Sequence, residues 1–116
     1  MSSTDKRSLA AIMFIDIVGY SRMMALNEER TLEMLKDFER IGSSNIKEND
    51  GIIIKKIGDE LFCEFSSAKH AVDGALAIQN TLQSYNDSRP KDFKLQVRIG
   101  IHIGDTNGRY RQKMKP

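Results

Sequence analysis

The chain has 116 residues, of which 40% are hydrophobic and 29% charged, a composition that is ordinary for a soluble globular protein of one domain. Four of the 18 basic residues but none of the 16 acidic residues lie in residues 108–116, which leaves 14 basic against 16 acidic residues in 1–107. A basic end this short is more typical of a solvated tail than of a nucleic-acid-binding arm, so we expect no nucleic-acid partner.

The single cysteine, Cys63, excludes an intramolecular disulfide and a cysteine-based zinc cluster. The first residues are polar and show no secretory pattern, and no apolar run is long enough to span a membrane. We therefore expect a cytoplasmic protein, or a cytoplasmic piece of one, with no membrane segment.

Apolar periodicity and turn signals predict the elements in the order strand, helix, strand, strand, helix, strand. They are a strand over 9–15, a helical turn over 22–26 and a helix over 28–47, strands over 52–57 and 60–65, a helix capped by Ser66 or Ser67, and a strand over 93–104. In the 28–47 helix the apolar residues recur every three positions and predict one buried stripe, which consists of Leu32, Leu35, Phe38 and Ile41.

This order of elements is that of the ferredoxin-like βαββαβ fold of the α+β class, also called the palm type. Right-handed crossovers place the third strand between the first two, antiparallel to both, so we predict the antiparallel sheet order 4-1-3-2 with the helices on one face. The end of strand one then lies beside the start of strand three, which makes Asp16 and Asp59 neighbours. The pair Gly104-Asp105 lies at the opposite edge, away from both.

The two aspartates predict a metal site. Neighbouring carboxylates repel each other unless a cation lies between them, and ligands that are all oxygen favour Mg²⁺ or Mn²⁺ over zinc. The alternative is structural: Asp16 caps the end of a strand, and Asp59 is an ordinary turn residue beside Gly58.

The turn Gly19-Tyr20-Ser21 and the side chain of Lys55 each have two interpretations. Free N–H groups at a helix start suit phosphate oxygens, but glycine also serves a plain loop. Lys55 lies in an otherwise apolar row with Ile53 and Ile57, where a lysine either guards the edge of the sheet or binds a ligand.

Three segments in this order, IMFIDIVGYS (12–21), KKIGDELFCEF (55–65) and VRIGIHIGD (97–105), resemble the class III adenylate/guanylate cyclase catalytic domain. The resemblance implies a partial nucleotide cyclase domain over residues 8–105 that lacks the distal part of the family's domain. A polar lead-in (1–7) precedes it, and a basic divergent tail (106–116) follows.

The resemblance also implies the roles of individual residues. Asp16 and Asp59 would hold two Mg²⁺ or Mn²⁺ ions together with the carbonyl of Ile17. The turn Gly19-Tyr20-Ser21 would hold the triphosphate, and Lys55 would contact the purine, where a lysine is similar to the adenylate type.

The implied reaction converts ATP to cyclic AMP and pyrophosphate in intracellular signalling. Active sites of this family form between two domains, so we expect a homodimer or pairing with another cyclase domain. The family's distal part carries a second purine-contacting residue and an Asn and an Arg that stabilise the transition state. Asn107, Arg109 and Arg111 do not match that motif, so we assign no catalytic residue beyond the metal site.

The change in composition after Asp105 leads us to expect a truncated or frameshifted gene product. One alternative function is therefore a non-catalytic fragment that binds nucleotide and metal or pairs with a full-length cyclase. Another is a diguanylate cyclase of the GGDEF kind, which residues 58–61 resemble, although Ile57 stands where that motif has its first glycine.

Overall fold

The structure is a computed structural model that describes residues 9–105. Its elements in chain order are β1 (Leu9–Ile17), α1 (Tyr20–Leu26), α2 (Glu28–Glu48), β2 (Gly51–Ile57), β3 (Glu60–Phe65), α3 (Ala68–Asn86), a short 3-10 helix (Lys91–Phe93) and β4 (Val97–Asp105). The predicted lead-in and basic tail, with Asn107, Arg109 and Arg111, lie outside the described residues.

The four strands form one antiparallel sheet in the order β2-β3-β1-β4, which confirms the predicted topology and the ferredoxin-like α+β fold. The two-residue turn Gly58-Asp59 joins β2 to β3, and Gly58 has a φ of 55°, a left-handed conformation that glycine adopts without strain. This tight turn fixes where β3 begins. Because β3 then pairs with β1, Asp16 lies opposite Glu60.

The core lies between the sheet and the helices. Alternate residues of β1 and β3 face the helices because side chains of a strand alternate between its two faces. These buried strand residues are Ala11, Met13, Ile15, Ile17, Leu61, Cys63 and Phe65. The other side of the sheet, which we call the open face, carries Phe14, Asp16, Phe62 and Arg98.

Both long helices begin at the caps that the sequence predicts. The Asn27 side chain accepts a hydrogen bond from the N–H of Arg30 at the start of α2, and the Ser67 hydroxyl accepts one from the N–H of His70 at the start of α3. The predicted stripe of α2 is wrong at Leu32, which is exposed, because the helix is rotated so that Met34 is buried instead. No helix within residues 9–105 has the length and apolar content needed to cross a membrane.

The first and last strands differ from their predicted bounds. β1 continues through Ile17, so Asp16 lies inside the strand and has partners on both sides. β4 begins at Val97 rather than at residue 93, because the preceding segment is tied to the end of α3. The Asn86 side chain accepts a hydrogen bond from the N–H of Leu95 and donates one to its carbonyl.

Candidate metal and nucleotide site

A cavity of about 300 Å³ lies at the end of β1, and all but one of the predicted site residues line it. Its lining residues are Asp16, Ile17, Gly19, Tyr20, Ser21, Arg22, Asp59, Glu60 and Arg98. The fold therefore brings the strand end, the following turn and the hairpin turn together around one space. Lys55 is the predicted residue that does not line it.

Asp59 is fixed against the end of β1. Its Oδ2 accepts a hydrogen bond from the N–H of Ile17 at 3.2 Å. The side chain thus takes the position where a backbone carbonyl would continue the β1–β3 ladder. The carbonyl of a strand residue points to the same side as its N–H, which directs the Ile17 carbonyl toward Asp59. The hairpin turn thus sets the carboxylate beside a backbone oxygen.

Asp16 forms a two-pronged ion pair with Arg98. Arg98 Nε and Nη2 donate to Asp16 Oδ1 and Oδ2 at 3.0 and 3.1 Å, because the two residues lie opposite each other in the β1–β4 ladder. The Arg98 side chain is 73% exposed and that of Asp16 is 26% exposed. The hydrogen bond and charge of Asp16 raise the pKa of Arg98, and the nearby charge of Asp59 raises it further.

Sequence reasoning missed Arg98. The alternation of apolar and polar residues in the last strand placed Arg98 among the polar residues. Its partner on β1 could not be predicted, because no short turn joins β1 to β4 and the register between the two strands was unknown. A signal was present all the same, because a lone arginine on the strand next to a strand-end carboxylate is a candidate partner for it.

The donor set suits a hard divalent cation. Two carboxylates and the Ile17 carbonyl are all oxygen ligands, which Mg²⁺ and Mn²⁺ prefer. Among residues 9–105 no group of three or more histidine, cysteine or acidic side chains is placed to hold a metal ion, so any site here has only these two carboxylates.

The turn after β1 leaves donors at the rim of the cavity. Gly19 has a φ of 72°, and its carbonyl accepts the first helical hydrogen bond, from the N–H of Met23. The N–H groups of the first turn of a helix have no acceptor within that helix. Those of Tyr20 and Ser21 are thus available at the cavity, although a plain loop accounts for the turn equally well.

Lys55 lies on the open face at a distance from the cavity. A β-bulge between Ile53 and Lys55 shifts the register, so that Ile53 lies opposite Cys63 on the helix side while Lys55 lies opposite Phe62. The predicted row of Ile53, Lys55 and Ile57 on one face is therefore wrong. Lys55 shares its face with Asp16 but is two strands away from it.

A second cavity of about 380 Å³ adjoins the first one on the open face and shares Asp16, Glu60 and Arg98 with it. Its apolar wall includes Phe14 and Phe62, whose rings meet edge to face with centroids 5.2 Å apart. Phe14 is nonetheless 40% exposed. An apolar surface therefore lies directly beside the two carboxylates.

A family model and several relatives match this chain. The sequence matches the adenylate and guanylate cyclase catalytic domain over residues 3–115. It is 35% identical to a putative adenylate cyclase of Rhizobium meliloti over 101 residues, which are 86% of this chain and 17% of that protein. It is 30% identical over 105 residues to a serine/threonine-protein kinase of Myxococcus xanthus, of which it covers 13%.

A solved structure gives the same answer at the level of the fold. The adenylate/guanylate cyclase/hydrolase of Silicibacter pomeroyi superposes with a TM-score of 0.76 at 38% identity, over 86% of this chain and 59% of that one. The chain thus spans about three-fifths of that structure, but only 17% of the Rhizobium meliloti protein and 13% of the Myxococcus xanthus protein. On the match over nearly its whole length, the chain belongs to the adenylate and guanylate cyclase catalytic domain family.

Proposed function

We propose that the chain supplies the metal- and triphosphate-binding side of a nucleotide cyclase site that converts ATP to cyclic AMP and pyrophosphate in cytoplasmic signalling. The observation that carries this proposal is that two carboxylates, Asp16 and Asp59, line one cavity with the turn Gly19-Tyr20-Ser21. A nucleotide bound with a metal ion needs two kinds of group: carboxylates that hold the cation and backbone N–H donors that bind the phosphates.

In this proposal Asp16, Asp59 and the Ile17 carbonyl hold two Mg²⁺ or Mn²⁺ ions. Such ions, when bound, activate an attacking oxygen and stabilise a leaving one. The residues of the chain position the substrate. The N–H groups of Tyr20 and Ser21 donate hydrogen bonds to phosphate oxygens at the rim of the cavity, and Gly19 lets the chain turn there.

Arg98 has a role that follows from its ion pair. Without a cation it neutralises Asp16, and a cation that binds Asp16 competes for the same two oxygens. The released guanidinium lies at the rim of the cavity, where its planar donors fit phosphate oxygens. We therefore include Arg98 among the substrate-binding residues.

Lys55 leads us to propose a second domain in the working enzyme. It shares the open face with Asp16 but lies two strands away, outside the cavity. A second cyclase domain that packs against the open face, whether another copy or a different chain, would bring its own lysine to the substrate. Lysine only donates hydrogen bonds, which suits the acceptor nitrogen N1 of adenine better than the N–H that guanine presents there.

The second candidate is a domain that binds nucleotide and metal, or pairs with a complete cyclase, without catalysis of its own. The separation of Lys55 from the cavity favours it, because the lining of the cavity includes the two carboxylates and the turn but not this lysine.

The decisive experiment compares Asp16→Asn and Asp59→Asn with the purified wild-type chain. We expect each change to weaken binding of Mn²⁺ with ATP by at least about tenfold, because each removes one charged ligand, and to abolish formation of cyclic AMP. Asp73→Asn is the matched control, since Asp73 is a helix carboxylate paired with Lys69.

The two readouts separate the candidates. Binding that both variants leave unchanged contradicts the metal site itself. Binding that requires Asp16 and Asp59, without cyclic AMP from the wild type, rejects catalysis by this chain alone and supports the second candidate.

A further inference from the structure

Arg22 lines the cavity beside the candidate metal site and has no role in the function proposed above. It is the third residue of α1, and the side chains of a helix lean back toward its first residues. A Cβ at Gly19 would lie 3.3 Å from Nη2 and 3.7 Å from Nε of Arg22, so the guanidinium lies directly against Gly19. A positive charge is therefore placed over the turn to which we assign the phosphates.

The two arginines of the cavity have different ion-pair partners. Arg98 donates from two nitrogens to Asp16, which is one of the carboxylates that line the cavity. Arg22 pairs with Asp92, which lies outside the lining of this cavity. The charge of Arg22 is thus brought to the cavity by a carboxylate that the metal site does not use.

Asp92 is presented by a backbone that neighbouring residues hold in place. It belongs to the short 3-10 helix that precedes β4. The Nε of Arg89 donates to the carbonyl of the next residue, Phe93, at 2.8 Å, and the guanidinium of Arg30 lies 4.5 Å from the centre of the Phe93 ring. These contacts fix the segment that carries the Asp92 carboxylate.

The ion pair between Arg22 and Asp92 is loose. The distance from Nη1 of Arg22 to Oδ1 of Asp92 is 3.8 Å, which is longer than a hydrogen bond, and the two side chains are 60% and 65% exposed. Solvent screens such a pair, so its contribution to stability is small. A guanidinium has five N–H donors, and this pair leaves them available to a stronger acceptor.

We propose that Arg22 binds the phosphate chain of the nucleotide, and that Asp92 is a positioning residue that restrains the guanidinium beside Gly19 before the nucleotide binds. This inference rests on the proposed function, because it adds a residue to the same site. A planar guanidinium can donate two parallel hydrogen bonds to phosphate oxygens. Phosphate binding then replaces a long, exposed contact with Asp92 by direct charge-assisted hydrogen bonds.

A purely structural ion pair leads to a different expectation. If the pair only joined α1 to the 3-10 helix, removing either charge would break the same contact and have the same effect on ligand binding. In the proposal the two changes have opposite effects, because Arg22 attracts phosphate whereas Asp92 competes with phosphate for Arg22. The sign of the two effects therefore distinguishes the two roles.

The test measures binding of inorganic tripolyphosphate to the purified chain by calorimetry at a constant excess of Mn²⁺. We expect Arg22→Ala to weaken binding about three- to tenfold, the size of a charge-assisted contact at a partly exposed site. Asp92→Asn should strengthen binding about twofold, since it removes a weak competitor. Arg22→Lys keeps the charge but not the planar fork, so it should recover part of the affinity that Arg22→Ala loses.

The double variant and a matched control complete the design. Arg22→Ala combined with Asp92→Asn should bind no more tightly than Arg22→Ala alone, because Asp92 acts through Arg22. Arg40→Ala is the control, since Arg40 is also an exposed helix arginine that pairs with an aspartate, at 3.4 Å, but does not line the cavity. It should leave the affinity for tripolyphosphate unchanged.

The outcomes separate this inference from the proposed function. Unchanged affinity in Arg22→Ala, together with a loss in Asp16→Asn, overturns the role of Arg22 and leaves the proposed function in place. Weaker binding in both Arg22→Ala and Asp92→Asn also overturns it, because the pair is then structural. Affinity that depends on Arg22 but not on Asp16 or Asp59 supports phosphate binding by Arg22 and contradicts the metal site. No binding of tripolyphosphate by the wild type contradicts both.

Discussion

At the scale of single residues, the ion pair between Arg98 and Asp16 occupies the candidate site. In the structure both hydrogen-bonding nitrogens of Arg98 lie on Asp16, so the carboxylate that would hold a cation is already neutralised. The pair is largely exposed on the arginine side, where solvent screening makes such an interaction weak. If the proposed metal site is right, a divalent cation would therefore displace the guanidinium at small cost.

We predict that Arg98→Ala has opposite effects on two ligands. Binding of Mn²⁺ alone should strengthen by a few-fold, because a competing positive charge leaves Asp16. Binding of ATP in the presence of Mn²⁺ should weaken, because a phosphate-binding group is lost. Titration of the variant with Mn²⁺ followed by calorimetry with ATP measures both effects.

Arg98→Lys is the conservative control, since it keeps the charge but loses the planar fork. It should restore weak binding of Mn²⁺ alone and only part of the ATP affinity. Equal weakening of both ligands by Arg98→Ala would contradict the exchange of partners and assign Arg98 a structural role.

At the scale of elements, the junction between α2 and β2 is packed too closely for any side chain at Gly51. A Cβ at this position would lie 2.5 Å from Cε2 of Phe65 and 2.8 Å from Cγ2 of Ile46. Both neighbours are 1% exposed and belong to the core, so neither can move aside without displacing other core residues. The close approach lets the start of β2 lie against β3.

We predict that Gly51→Ala lowers the free energy of unfolding by about 1–3 kcal/mol, the usual cost of adding volume to a filled core. Gly100→Ala is the matched control in another strand, because its Cβ would meet only Cδ2 of Phe14, at the ordinary contact distance of 3.9 Å. Denaturation by urea compares the two. A similar loss in both variants would show that strand glycines, and not the contact with Phe65, set the stability.

The elements also show how far the sequence determines the fold. The hairpin and sheet order could be predicted because a two-residue turn and right-handed crossovers leave few topologies. The bulge at Ile53 and Lys55 could not be predicted, since no glycine or proline marks it in the sequence. The rotation of α2 that buries Met34 and exposes Leu32 also depends on packing against other elements.

The same limit applies to the candidate site. Asp16 and Asp59 could be brought together from the sequence because the predicted sheet order puts the end of β1 beside the start of β3. Arg98 could not be placed with them, since its position depends on a ladder between strands that are far apart in the chain. Sheet order is enough to place the ends of neighbouring strands together, whereas the partner of a residue inside a strand also requires the register.

At the scale of the whole molecule, the buried thiol of Cys63 and the partly buried hydroxyl of Tyr85 make stability depend on alkaline pH. Burial raises the pKa of the Cys63 thiol from 9.0 to about 12. Burial, followed by the hydrogen bond to Asp37, raises the pKa of Tyr85 from 10.0 to about 12. In both cases the unfolded chain loses its proton at a lower pH than the folded protein does.

We predict that the stabilisation is complete below about pH 9 and is lost as the pH rises toward 12, because the unfolded state binds fewer protons in that window. Urea midpoints measured between about pH 8 and 10.5 should fall with rising pH. Cys63→Ala should be less stable at every pH but should show a shallower fall. If the urea midpoint of Cys63→Ala falls with pH as steeply as that of the wild type, the thiol has the same protonation state in the folded and unfolded protein.

The hydrogen bond from Ile17 to Asp59 joins residues 42 positions apart in the chain. Neither β1 nor the β2–β3 hairpin forms a metal site alone, since each carries one of the two carboxylates. Contacts over such separations form only after the entropy of closing the intervening loop has been lost, which places them late in folding. Metal bound at the proposed site would therefore be a sign that β1 has paired with the β2–β3 hairpin, and a newly made chain would acquire the metal after these strands have assembled.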